Sequence, residues 1–387
     1  MVKQMLTLIK NGEVYAPEYL GRQSLLLIGD KIAKIGSIDE EKFVNLDIVV
    51  NVIDAEGLMV IPGLIDPHVH LIGGGGEGGF TTRTPEIQLT DITTAGITTV
   101  VGCLGTDGVT RHLTSLLAKA RALTEEGITA YMYTGNYHVP TPTITSSVKE
   151  DIMLIDRVIG AGEIAISDSR SGQPSLHEIA KLVGEARVGG LLSKKAGVTH
   201  FHVGPGKARL QYLSQILEDY EIPAGQLYAT HITRSKELVD EAIALSNKGV
   251  YVDMTCGDDT GEWLKYYKEN GGNMEKLSLS SDGNGSLPKF DADGNFIGLG
   301  VASPHTLYEQ VCEAVITHGF SIEEVLPLVT RNTATVLKLE EKGSLSVSRD
   351  ADIVLLEKET LALHSVLAKG KTLVSKGKVV VKGTFEK

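Results

Sequence analysis

The chain has 387 residues, 42% of them hydrophobic and 22% charged, a globular composition long enough for one large barrel or two to three small domains. Its 37 basic and 49 acidic residues give a formal charge of −12, and no stripe of Lys and Arg interleaved with aromatics supplies the basic surface that nucleic acid requires. No run approaches the roughly 18 apolar residues of a membrane helix, and the apolar stretch within Met1–Lys10 is too short for a signal-peptide core. Cys103, Cys256 and Cys312 lie far apart and form neither a CxxC pair nor a disulfide framework. They read as small buried hydrophobes in a reducing compartment, so the protein is expected in the cytoplasm.

The first sixty residues read as β structure. Leu6–Lys10, Ser24–Ile28, Lys31–Ile35 and Asp47–Asp54 are short apolar runs separated by turn signals such as Gly29-Asp30. Ala351–Leu356, Ser365–Ala368, Thr372–Val374 and Lys378–Val381 repeat this pattern at the other end. Neither block alone buries much surface, so residues 1–61 and 345–387 are expected to pair into one small β-sandwich domain. Over residues 62–344 the pattern becomes strand, loop, helix. Apolar runs recur at Val60–Leu64, Thr98–Cys103, Ala130–Thr134, Ile164–Ile166, Val198–Phe201, Leu227–Ala229, Val250–Met254 and Leu277–Leu279. Leu113–Leu123, Leu176–Val188, Leu210–Leu217 and Glu237–Ser246 carry apolar residues at helical spacing, and Ser321 with Glu324 forms a capping box for a further helix. Eight such units predict an α/β fold, a (β/α)8 TIM barrel whose chemistry sits at the C-terminal ends of the strands. A doubly wound sheet is the alternative, but it does not require eight regular units.

His68 and His70 follow the first apolar run and precede Gly73–Gly76. Residues i and i+2 of an extended strand face the same side, so both imidazoles reach one metal ion. Glu163, His202, His231 and Asp282 each stand near the end of a later apolar run and complete a ligand set for a two-metal hydrolase. Thr106, Tyr137 and Arg170 flank the second, third and fourth runs. His112, His177, His305, His318 and His364 lack that context and read as structural, whereas His138 and His200 read either way. Gly73–Gly79 meets GxGxxG only superficially, since it follows the histidines and no Gly-Lys-Ser/Thr closes it. Asp291-Ala292-Asp293-Gly294-Asn295 lacks the glycine placement and closing glutamate of a calcium loop and reads as a turn. No GxSxG elbow is present.

This constellation resembles the amidohydrolase superfamily, whose pattern is a histidine pair on strand one, a bridging carboxylate on strand four, single histidines on strands five and six, and an aspartate on strand eight. Gly73–Gly76 with Glu77, Gly105-Thr106-Asp107, Tyr137-His138-Val139-Pro140, Ser281-Asp282-Gly283-Asn284-Gly285-Ser286 and the closing Lys382-Gly383-Thr384-Phe385-Glu386 resemble its isoaspartyl dipeptidase branch over almost the whole chain. The family usually places a carboxylated lysine on strand four, and here Glu163 stands at that position. Its carboxylate offers two hard oxygens but is shorter, and Gly162 leaves the backbone room to shift. A one-metal site with Glu163 as an ordinary polar barrel residue is the alternative.

The resemblance implies two Zn2+ ions, one held by His68, His70 and Asp282 and the other by His202 and His231, with Glu163 and a hydroxide between them. Coordination lowers the pKa of water from about 15.7 towards roughly 7. Asp282 then takes the proton of the attacking hydroxide and delivers it to the departing amine. Tyr137 donates to the developing oxyanion, although it reads equally well as a core tyrosine. Arg170 and Arg234 are expected to grip carboxylates, Glu77 an ammonium, and Gly75, Thr106 and Ser286 to add hydrogen bonds. Those charges match a β-linked aspartyl dipeptide, so the expected reaction is hydrolysis of its side-chain-linked peptide bond in a homo-oligomeric enzyme. The competing readings are a dihydropyrimidinase-like or D-aminoacylase-like enzyme on the same barrel, and a metal-free scaffold, which would normally have lost ligands.

Overall fold

Strand residues alternate between two faces, and the chain-end strands use both. Leu58–Pro62 pairs antiparallel with Ile353–Glu357, setting Val60 opposite Leu355. Leu58, Val60, Ile353 and Leu355 pack with Ile9, Val14, Leu25, Leu27 and Ile32 into one core. The alternate residues Met59, Ile61, Val354 and Leu356 belong to a second core, shared with the barrel. The two ends of the chain thus form one nine-stranded sheet. The computed structural model describes residues 6–39, 49–290 and 296–387, with backbone alone at 288–290 and 296–297. Of the expected strand Asp47–Asp54, Val50–Asp54 is a strand and 47–48 lie outside the described residues, as does the expected turn at 291–295.

Gly12 shows how tightly the small sheet packs. Leu6–Tyr15 runs on beyond the expected Lys10 through a bulge, and a Cβ at Gly12 would meet Val60 Cγ2 at 2.3 Å. Only a residue without a side chain lets the two strands approach this closely.

The other sheet has eight parallel strands: β1 (Leu64–Val69), β2 (Ile97–Gly102), β3 (Thr129–Thr134), β4 (Val158–Ile166), β5 (Val198–Val203), β6 (Leu227–Thr230), β7 (Tyr251–Thr255) and β8 (Leu277–Ser280). Each is followed by a helix: α1 (Leu89–Thr93), α2 (Leu113–Glu126), α3 (Val148–Leu154), α4 (Leu176–Ser193), α5 (Gln211–Asp219), α6 (Lys236–Asn247), α7 (Thr260–Glu269) and α8 (His305–Ile316). A bridge between Val69 and Gly283 joins the ends of β1 and β8, the His70 N–H donating to the Gly283 carbonyl at 2.8 Å. The sheet is therefore a (β/α)8 barrel. Ile65, Val101, Tyr133, Ile159, Val198 and Tyr228 fill its lower interior against Ala334, Val336, Leu337 and Leu339, so only the C-terminal mouth stays open.

The first barrel strand is not the expected Val60–Leu64. The apolar run holds two fully buried strands in succession, Leu58–Pro62 of the small sheet and then β1. Both faces of each are covered, so hydrophobicity does not mark the break at Gly63. There the N–H donates to the Asp352 carbonyl at 2.8 Å, and a Cβ would lie 2.2 Å from Thr98 Oγ1.

A buried ion cluster joins the two sheets. Lys342 Nζ contacts Asp350 Oδ2 at 2.7 Å, Asp352 Oδ2 at 2.6 Å and, at the start of β3, Thr129 Oγ1 at 2.7 Å. Lys31 from the small sheet closes on Asp350 at 2.7 Å. Burial works against the Lys342 charge, but the two carboxylates raise its pKa. Burial likewise opposes Asp350 ionisation, which Lys342 and Lys31 nevertheless hold below the usual carboxylate range. The lysine contribution is therefore present below its unfolded pKa and lost as pH rises through the folded value. The Asp350 contribution is present above about 3.9 and lost on acidification. Lys342→Met leaves buried Asp352 without a cation and Asp350 with Lys31 alone, and should cost about 3–5 kcal/mol. Urea unfolding beside the parent measures it, and an unchanged midpoint contradicts the assignment.

Candidate active site

Five of the six expected ligands stand at or just beyond the C-terminal ends of barrel strands, Glu163 lies three residues before the end of β4, and their side chains meet at one point. Glu163 lies fully buried on β4, with its two oxygens facing opposite ways. Oε1 is 2.7 Å from His202 Nδ1 and 3.2 Å from His231 Nε2. Oε2 is 3.2 Å from His68 Nε2 and 3.9 Å from His70 Nε2. Asp282 Oδ1 sits 3.4 Å from His68 Nε2 and 3.1 Å from His70 Nε2. One carboxylate thus divides four imidazoles into two pairs, with Asp282 on the His68–His70 side. His231 and Asp282 hold left-handed backbone, at φ 64° and 50°, a conformation uncommon outside glycine that aims each side chain inward.

His68 Nε2, Glu163 Oε2 and Asp282 Oδ1 are buried without a hydrogen-bond partner, although the imidazole nitrogen lies 3.2 Å from the first oxygen and 3.4 Å from the second. Converging buried lone pairs are costly unless a cation satisfies them. The donors are imidazole nitrogens and carboxylate oxygens, a set suited to divalent ions of the zinc type, so the residues fit the metal centre that the fold implies. Burial alone would raise the Glu163 pKa, but His68 and His202 hold it well below the carboxylate range. Burial pushes His231 down to about 3, keeping it a neutral donor.

Three residues to which the sequence reading gave no part in the site, Cys103 among them as a small buried hydrophobe, fix the histidine faces. Thr255, ending β7, approaches His231 Nδ1 at 2.6 Å and leaves Nε2 towards Glu163. Cys103 lies 3.8 Å from His70 Nδ1, behind the ring. Asp168 lies 3.0 Å from His202 Nε2, so Nδ1 faces the centre. The sequence offered one signal, a carboxylate two residues before Arg170; nothing local marks the other two. His200 shares the inward side of β5 with His202 but lies deeper, fully buried between Tyr133 and Tyr228 and 5.0 Å from the His68 ring.

Above this floor opens a cavity of about 320 Å3 whose wall includes Gly75, Glu77, Thr106, Tyr137, Arg170, Arg234 and Ser286. The structure therefore brings every expected substrate contact to one mouth. Tyr137 OH is 2.8 Å from His202 Nδ1, and burial pushes its phenol well above 10. Arg170 is not a free guanidinium. Its Nε and Nη2 clasp Asp168 at 3.0 and 2.8 Å, and its Nη1 lies 3.2 Å from Glu77 Oε1. Glu77 also accepts from Thr106 at 2.9 Å and Ser286 at 3.4 Å. Arg234 lines the cavity and makes no ion pair among the described residues.

A second missed group holds the glycine loop against the loop after β8. Buried Arg111 donates to the carbonyls of Ile72, Gly74 (3.0 Å) and Thr84 (2.9 Å). Thr84 donates to the Asn284 carbonyl at 2.7 Å, and Asn284 Nδ2 returns to the His70 carbonyl at 3.2 Å. Gly73 has φ 82°, and a Cβ there would lie 2.3 Å from the Thr84 carbonyl. A side chain would open the clamp.

An amidohydrolase family model matches residues 51–139 and another matches 227–385. A dihydroorotase from Lactobacillus johnsonii is 22% identical over 92% of this chain and 90% of its own length. A D-hydantoinase structure, 19% identical with TM-score 0.67 over 98% of each chain, shares the fold. The β-aspartyl dipeptidase of Fervidobacterium islandicum AW-1, in complex with a β-Asp-Leu dipeptide, is 44% identical with TM-score 0.92 over 98% of each chain. A second β-aspartyl dipeptidase structure from Fervidobacterium islandicum AW-1 aligns at 42% identity and TM-score 0.89 over 97% of this chain and 98% of its own. At that identity over the full length, with the barrel and the metal-competent mouth in place, this chain belongs to the β-aspartyl dipeptidase family of amidohydrolases and is a metal-dependent hydrolase.

Proposed function

We propose that this protein hydrolyses the side-chain-linked peptide bond of isoaspartyl dipeptides at a centre of two zinc ions. The observation that carries the reading is the pairing of the Glu163-centred histidines with a cavity bearing two arginines and a glutamate at its rim. A β-aspartyl dipeptide has two carboxylates and one ammonium, and its bond is an amide. A chain of net charge −12 needs local cations to admit such a ligand. His68, His70 and Asp282 would hold one ion, His202 and His231 the other, and Glu163 would span both. When bound, the ions supply an activated water at neutral pH, its pKa lowered from about 15.7 towards roughly 7. Asp282, with one oxygen against the histidines and a quarter-exposed side chain, takes the proton of that water and passes it to the leaving nitrogen.

The remaining groups orient the substrate. Arg234 takes one carboxylate. Arg170 takes the other by exchanging Glu77 for it, and Glu77 is released towards the ammonium. Tyr137 stays protonated well above pH 10 because burial disfavours the phenolate, so it donates to the tetrahedral oxyanion. Gly75, Thr106 and Ser286 complete the polar wall. The three cysteines are free, which supports a reducing, cytoplasmic setting. No helix among the described residues is long and apolar enough to cross a membrane. Exposed Leu154, Leu191 and Leu192 are available to contacts within a homo-oligomer.

The deciding assay is a panel of β-Asp-Leu, α-Asp-Leu and a dihydropyrimidine. We expect kcat/KM for the β-linked peptide to exceed the others by at least roughly 100-fold, since misplacing a carboxylate leaves a site arginine unpaired. Equal or better turnover of the ring or the α-isomer overturns the reading. Tyr137→Phe should lower kcat by about 100- to 1000-fold with little change in KM, and steady-state kinetics on β-Asp-Leu that show a KM effect alone contradict the oxyanion role. Because Glu163 is a genetically encoded carboxylate, metal-free protein should recover full activity with zinc in bicarbonate-free buffer. A requirement for bicarbonate refutes its bridging position.

A further inference from the structure

Asp168 has more bonds than a barrel-mouth carboxylate needs for solubility. Its side chain is 2% exposed, and it accepts from the Arg170 backbone N–H at 2.8 Å, from Arg170 Nε at 3.0 Å and from Arg170 Nη2 at 2.8 Å. Its Oδ2 also meets His202 Nε2 at 3.0 Å. The surroundings are shaped to admit it. A Cβ at Gly204 would lie 2.4 Å from Asp168 Cβ, and Gln173 Nε2 anchors the Asp168 carbonyl at 2.9 Å.

We infer that Asp168 is a positioning residue that serves both halves of the reaction. It fixes the His202 ring so that Nδ1 faces Glu163, Arg170 Nη2 lying 3.1 Å from the same Nε2, and it holds the Arg170 guanidinium over the cavity. An unbroken chain runs from Glu77 through Arg170, Asp168 and His202 to Glu163, each step a contact of 3.2 Å or less. A carboxylate that accepts the far N–H of a metal-facing histidine fixes its orientation and raises its basicity. The same carboxylate clasps Arg170 through a planar two-point contact, which limits where the remaining Nη1 can point. This inference rests on the metal-centre reading above and extends it to a residue outside the six ligands.

The test is zinc retention against a competing chelator, measured on the parent, Asp168→Asn and Asp168→Ala, together with KM and kcat for β-Asp-Leu. We expect zinc at one of two sites to be held about 10- to 100-fold more weakly in Asp168→Ala, with a smaller loss in Asp168→Asn, which keeps one acceptor oxygen. KM should rise in both, because Arg170 loses its clasp. Asp168→Asn preserves size and carries the test if Asp168→Ala does not fold. Folded variants that hold both ions as tightly as the parent with an unchanged KM overturn the inference, whatever their melting temperature. A parent that itself retains no zinc overturns the metal-centre reading instead.

Discussion

A single buried carboxylate organises the active end of this barrel. Glu163, fully buried, faces four imidazoles, two from each oxygen. Left without cations, this arrangement packs histidine lone pairs against carboxylate lone pairs and leaves four ligand atoms, His68 Nδ1 and Nε2, Glu163 Oε2 and Asp282 Oδ1, without partners. Protonated imidazoles would offset part of that cost, and burial pulls His68 and His70 one way while Glu163, Cys103 and Asp282 pull them the other. Divalent metal would satisfy these side chains together, which is why the donor set fits a metal centre.

The fold supplies the rigidity this requires. Histidines and carboxylates from five different strand ends must keep their places to within a fraction of an ångström, and a closed barrel with a plugged base does so. The chain-end sheet contributes indirectly. Through Lys342 it ties the start of β3 to Asp350 and Asp352, and its outward residues complete the barrel core. The loops at the mouth are less constrained by the barrel, so Arg111, Thr84 and Asn284 tie them to one another.

What was legible in the sequence follows from locality. His68 and His70 are separated by one residue, and His202, His231 and Asp282 each stand shortly past a short apolar run, whereas Glu163 precedes Ile164–Ile166 and was placed by the family resemblance. The break between the small sheet and the barrel was not legible, because Leu58–Pro62 and β1 are both buried on both faces. Nor was the pairing of Ser286–Phe290 with Phe296–Val301 beside the cavity, where Leu287 joins the wall. Asp168, Thr255 and Cys103 escaped for a different reason. Each acts on a histidine that is a neighbour only after the barrel closes, and its own surroundings in the chain look ordinary. Arg170 was found, but its engagement by Asp168 and Glu77 was not, since ion pairing across loops leaves no periodic trace.

Anomalous X-ray scattering at the zinc edge, on crystals of the zinc-loaded protein, tests the central claim most directly. The account predicts two peaks per chain separated by roughly 3.5–4 Å, one beside His68, His70 and Asp282, the other beside His202 and His231, with Glu163 touching both. A single peak, or two peaks of which one leaves Glu163 untouched, would contradict it.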